Sequence, residues 1–184
     1  GFDLMGVKST YSSLSYFASS ININVIVMAL IVIGGIGFMT WDDVKTHKHH
    51  FRRYRMQSKV ILATSGVLIL LPALYFFFFE FGNVPFGKRI LLSIFQAITP
   101  RTAGFNTADL TAVSETGIAI TIILMLVGGS PGSTAGGMKT TTLAVLLSTA
   151  ISTFRRREHA HFFGRRIQSE TIRNATTILM MYLI

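Results

Sequence analysis

The string Thr102-Ala103-Gly104-Phe105-Asn106 follows a short apolar segment and precedes a longer one. A loop of this composition can strip water from a cation, because a row of backbone carbonyls replaces the hydration shell without any charged side chain. The central position is the demanding one. Only a residue without Cβ readily turns its carbonyl toward a crowded axis at unusual φ, and Gly104 fills it. Arg101 adjoins the string, where it either tunes the field at the cation or pairs with an outer carboxylate; the pairing is preferred.

A second string is Gly128-Gly129-Ser130-Pro131-Gly132-Ser133-Thr134-Ala135-Gly136-Gly137-Met138-Lys139. Its glycines and Pro131 are too dense for regular helix. Irregular backbone between apolar segments survives at membrane depth only where it lines water or is buried in protein. Lys139 is costly there, so it faces the water path as an electrostatic gate or snorkels toward the aqueous side. Met125 and Met138 read as packing filler.

Two enzymatic readings of these glycines fail. Gly128-Gly129-Ser130-Pro131-Gly132 fits Gly-x-Ser-x-Gly, but that elbow needs a strand-to-helix turn with an activating His and acid. A phosphate-binding loop needs Lys directly after Gly, whereas Met138 stands between Gly137 and Lys139. The chain is therefore not read as an enzyme. His47, His49, His50, His159 and His161 lie among Lys and Arg without acidic or Cys partners. Headgroup contact or docking of an acidic or nucleotide-binding partner is preferred there over metal binding.

These strings need a scaffold, and the composition indicates which. Of 184 residues 50% are hydrophobic and 14% charged, with no Cys; soluble domains carry about 25% charged residues. The net charge of +9 raises nucleic acid as a partner, and its placement argues against that. Lys45, Lys48, Arg52, Arg53, Arg55 and Lys59 form one cluster, and Arg155, Arg156, Arg157, Arg165 and Arg166 another. Between them, residues 82–115 hold only Lys88, Arg89 and Arg101. This is the positive-inside asymmetry of a multi-pass protein of the cell membrane, with both basic loops cytoplasmic and residues 106–115 outside. No aromatic-interleaved platform for nucleic acid accompanies the charge.

Residues 21–41 are apolar enough for one spanning helix ending at the interfacial Trp41. A second helix is expected over 58–81, kinked at Pro72 and ending in the aromatic block Tyr75 to Phe79. Residues 86–99 supply about 21 Å of helix, too short to cross and suited to a re-entrant half-helix that Pro100 ends. Its C-terminal carbonyls would aim the negative end of the helix dipole at a cation. The carbonyl string 101–106 follows, then a third span over 117–154 broken by the glycine-rich loop. The order is outer helix, pore helix, filter and broken inner helix. Gly1-Phe2 can be aligned with Gly104-Phe105, each before a polar stretch and a span. The expected organisation is the end of one repeat at 1–57, a complete repeat at 58–168 and the start of another at 169–184.

The filter string parallels the Thr-Val-Gly-Tyr-Gly of potassium channels, with Ala103 for Val, Phe105 for Tyr and Asn106 for the last Gly. Together with Thr99-Pro100-Arg101, Thr107 and the run Gly128 to Thr140, it resembles the Trk/Ktr/HKT superfamily of potassium transporters, most closely the membrane subunits of bacterial Ktr systems. The resemblance covers the whole chain. It implies an all-α integral membrane fold of four helix–pore-loop–helix repeats around one potassium pathway. Gly1 and Gly104 would match the second and third filter glycines, and 128–139 a gating loop beneath the filter. It also implies a homodimer seated on a KtrA-like cytoplasmic ring that binds ATP or ADP, with potassium as cargo and no organic cofactor in this chain. The rival reading is a secondary transporter that binds an anionic substrate at a discontinuous helix; such a protein needs no pore helix and filter ahead of that helix.

Overall fold

The computed structural model describes residues 12–157 and 159–184, so Gly1 and Phe2 lie outside the described residues. Seven α-helices occur among them: α1 (Ile21–Ile36), α2 (Phe38–His47), α3 (Met56–Tyr75), α4 (Phe86–Ile98), α5 (Glu115–Leu126), α6 (Thr140–Phe154) and α7 (Ser169–Leu183). A short antiparallel pair, β1 (His161–Phe162) with β2 (Arg165–Arg166), pairs His161 with Arg166. The described residues divide into two compact units, one within 12–35 and 66–125, the other within 36–65 and 126–184.

Helix α3 continues through Pro72 and passes into a π-helical turn at Phe76–Glu80. The 25 residues Met56–Glu80 form the one described helix long and apolar enough to cross a membrane unaided. At 1.5 Å per residue that is about 37 Å, against a hydrocarbon core of about 30 Å. Leu70, Leu71, Leu74, Phe78 and Phe79 are exposed along it. Where the π turn loosens the ladder, the Phe77 carbonyl accepts the Arg89 Nε–H at 2.6 Å. The Arg89 guanidinium also lies 4.3 Å from the centre of the Phe77 ring. The start of α4 is thereby pinned to the end of the long helix.

Helix α4 has 13 residues, about 20 Å, and cannot span. Its residues Leu91, Phe95 and Ile98 recur at i, i+4 and i+7, one face of a helix, and pack with Met28 of α1. Leu92 turns to a second cluster with Ala18, Phe76, Phe81 and Ala108. The short helix is thus held on two sides within its unit.

In the other unit α6 packs against α7. Residues 21–41, expected as one helix, are two: α1 stops at Ile36, and α2 restarts at Phe38 and runs on to His47 after a sharp bend. The cause is Gly37, whose φ of +91° lies outside any helix. Asp43, in the middle of α2, is buried. Its Oδ2 accepts the Ser58 hydroxyl at 2.6 Å and the Arg55 amide at 3.1 Å, which ties the basic connection back to α2.

Candidate functional site

Two loops carry the candidate chemistry, and each is built by the helix before it. At the end of α4 the Thr99 carbonyl accepts the amides of Ala103, at 3.3 Å, and Gly104, at 3.0 Å. The Thr102 amide reaches the Pro100 carbonyl at 2.8 Å. The chain therefore turns tightly over the C-terminal end of α4, where the helix dipole favours positive charge. Thr102 has φ +69° and Gly104 φ +75°, whereas Ala103 and Phe105 are not left-handed. The successive N–H groups of Ala103 and Gly104 converge on the Thr99 carbonyl, as amides do in backbone of alternating handedness. Thr102 and Gly104 are exposed.

The ends of this string are fixed. The Thr99 hydroxyl donates to the Phe105 carbonyl, and the Phe105 ring packs on the cluster of Met28, Leu91, Phe95 and Ile98. Phe105 thus contributes packing and a carbonyl already engaged by Thr99. Asn106 is clasped through its own backbone: its amide donates to Ser13 Oγ at 3.1 Å, and its carbonyl accepts the Leu14 amide at 2.8 Å. The segment that follows the Gly1-Phe2 string in sequence thereby meets the end of the Gly104-Phe105 string. Arg101 is half-buried beside it. Beyond it the Thr111 hydroxyl and amide donate to Asp109 and hold its carboxyl below the ordinary carboxylate range.

The second loop joins α5 to α6. Its backbone is paired across itself: Met138 N–H to Leu126 O at 3.3 Å, Gly128 N–H to Met138 O at 3.0 Å, Gly129 N–H to Gly136 O at 3.2 Å, and Thr140 N–H to Gly129 O at 3.1 Å. Ser130 and Thr140 are fully buried, their hydroxyls 2.9 Å apart. A Cβ on Gly128 would lie 1.7 Å from the Gly136 carbonyl oxygen, so glycine here permits two backbone segments to touch. Lys139 is half-buried at the N-cap of α6. Its Nζ donates to the Ala135 carbonyl at 2.8 Å, which holds the ammonium against the loop.

The two basic stretches, far apart in sequence, converge. Arg52, Arg53, Lys59 and Arg165 surround a recess of about 200 Å³ that Tyr54, Met56 and Phe163 also line. No group of three or more His, Cys, Asp or Glu capable of holding a metal converges among the described residues. Gly37 and Phe38, absent from the sequence reading, touch the glycine-rich loop: the Phe38 amide donates to the Gly132 carbonyl at 3.1 Å. A signal for them existed, since Gly34, Gly35 and Gly37 form the other glycine-dense stretch of an apolar segment.

A family model described as TrkH, cation transport protein, matches residues 1–184. The chain is 34% identical over its full length to the potassium/sodium uptake protein NtpJ of Enterococcus hirae, covering 40% of that protein. It is 30% identical to the Ktr system potassium uptake protein B of Bacillus subtilis, over 96% of this chain and 41% of the relative. The crystal structure of the potassium transporter TrkH from Vibrio parahaemolyticus shares its fold, with a TM-score of 0.73 at 18% identity over 92% of this chain and 38% of that one. The chain thus spans about two-fifths of the length of these relatives.

Proposed function

The chain belongs to the TrkH family of cation transport proteins, and on that premise we propose that it forms part of the ion pathway of a membrane subunit that takes up potassium. Residues Thr102 to Phe105 act as one stretch of a carbonyl filter, and Gly128 to Lys139 as the gate. The alternation of handedness at Thr102 and Gly104 carries this reading. A left-handed threonine costs roughly 1 to 2 kcal/mol, and strained backbone that persists is concentrated at functional sites. The Thr99 hydroxyl and the packed Phe105 ring supply the support that such a string needs.

The filter works by exchange. Carbonyl dipoles replace water about a dehydrated ion, and the end of α4 adds a favourable field. No bond is made or broken. Regulation falls to a KtrA-like cytoplasmic ring that binds ATP or ADP, docked on the recess of Arg52, Arg53, Lys59 and Arg165, and two copies of the subunit form the functional dimer. The likeness to a protein named for potassium and sodium makes both ions the cargo to test. Full-length protein in vesicles should carry potassium in preference to sodium; equal flux of both, or none above empty vesicles, would remove the assignment.

A further inference from the structure

Helix α2 starts immediately after Gly37, so the Phe38 amide is a first-turn donor with no partner inside its own helix. It finds one in the glycine-rich loop, the Gly132 carbonyl at 3.1 Å. Gly37 is buried at φ +91°, and a Cβ there would stand 2.5 Å from the Pro131 carbonyl oxygen. Two consecutive loop carbonyls therefore rest on two consecutive residues of the helix break. The far side of the tip is anchored as well, by the Ser130 and Thr140 hydroxyls at 2.9 Å and by the Ser133 amide on the Ser130 carbonyl at 3.2 Å.

We propose that the break at Gly37 is the seat of the glycine-rich loop. Gly37 gives the space and the Phe38 amide gives the bond that keep Pro131 and Gly132 where they lie, and release of this contact is a step in opening the pathway. Opening rests on the reading of the loop as a gate; the seat itself rests only on the contacts. Both residues act through the loop and are positioning residues. A single neutral hydrogen bond biases an equilibrium modestly, which suits a latch that a regulatory partner must be able to undo.

Phe38→Pro removes the amide hydrogen and puts the ring Cδ in its place, against the Gly132 carbonyl. Proline is favoured at the first helical position, where its φ fits and its missing N–H has no helical partner. Gly37 has ψ 144°, within the range that a residue before proline adopts. Phe38→Ala is the reference, because it keeps the amide and loses the same ring, which is 72% exposed. Ser133→Cys in the full-length protein, with any other cysteines replaced, reports the loop tip through its rate of modification by a thiol reagent applied to both faces. Potassium flux is read in the same vesicles.

Phe38→Pro should be modified at least about fivefold faster than Phe38→Ala, the ratio expected for one lost bond before the push of the ring on the Gly132 carbonyl is added, and should conduct faster without the regulatory partner. Equal modification rates in the two variants overturn the seat, whatever the flux. Faster modification with unchanged flux keeps the seat and sinks the gate. Should Phe38→Pro fail to insert, Gly37→Ala replaces it: its methyl meets the Pro131 carbonyl, and an unchanged modification rate in that variant overturns the seat equally.

Discussion

The hydroxyl of Thr99 donates to the carbonyl of Phe105, six residues further on, while the carbonyl of Thr99 receives the amides of Ala103 and Gly104. One threonine at the end of a short helix thus binds the carbonyl string at three successive residues, Ala103, Gly104 and Phe105. The string's shape depends on a side chain outside it.

Thr99→Val keeps the volume and removes the donor. Loss of such a bond costs about 1 to 2 kcal/mol locally, and discrimination between potassium and sodium should fall by about tenfold. Thr99→Ser should retain most of it. Competitive uptake in a host lacking its own potassium uptake measures both; undiminished discrimination in Thr99→Val would show that the pin is dispensable.

Gly104→Ser should also lower discrimination. Gly104 has φ +75°, and a Cβ in left-handed backbone adds roughly 1 to 2 kcal/mol, so the peptide group rotates away to relieve it. Separate affinities for the two ions are the informative measurement. Unaltered values for both would place the selective step elsewhere.

Asp43 should matter more to stability than its ion pair suggests. It is 1% exposed with two donors, the Ser58 hydroxyl and the Arg55 amide, whereas the Arg55 side chain, 3.5 Å away, is 61% exposed. Exposed partners contribute little, but unmatched buried groups cost about 1 to 3 kcal/mol. Thermal melting of the solubilised full-length protein should fall further for Asp43→Asn than for Arg55→Ala. Equal losses would reverse that weighting.

Reversing charge at the recess, with Arg52→Glu and Arg165→Glu together, should weaken binding of the cytoplasmic ring, most at low ionic strength, because salt screens the charge that the unaltered recess offers. A cysteine at position 48 should resist an impermeant reagent added outside intact cells. Labelling there would invert the orientation and remove the ring from this face.

The sequence showed some of this and concealed the rest for physical reasons. The short helix before Pro100 was legible because length alone decides whether a helix can span, and α4 runs over Phe86–Ile98. The glycine-rich loop was legible as irregular, since composition governs helix stability. Its internal pairing was not, because the approach of Gly128 to Gly136 is a tertiary contact. Gly37 was hidden for a related reason: one glycine inside an apolar run is tolerated in a helix, and only the Pro131 carbonyl beside it explains the break. The convergence of Arg52 and Arg165 is likewise a product of folding, with more than a hundred residues between them. The proposed filter pair Gly1 and Phe2 lies outside the described residues.

The four backbone bonds that join residues 126–129 to 136–140 give the glycine-rich loop a neck. As the proposed gate, a tip carried on such a neck would move as a flap. Residues 130–135 would leave their resting place while those four bonds persist, once the Ser130–Thr140 and Lys139–Ala135 contacts let go, so few dihedral angles would be freed and few ordered again on return. The entropy that usually opposes rapid closing of a long loop is then mostly settled in advance. Such a flap would belong on the microsecond-to-millisecond scale of lid motions, and a small difference in the proposed partner's affinity would set how long it stays aside.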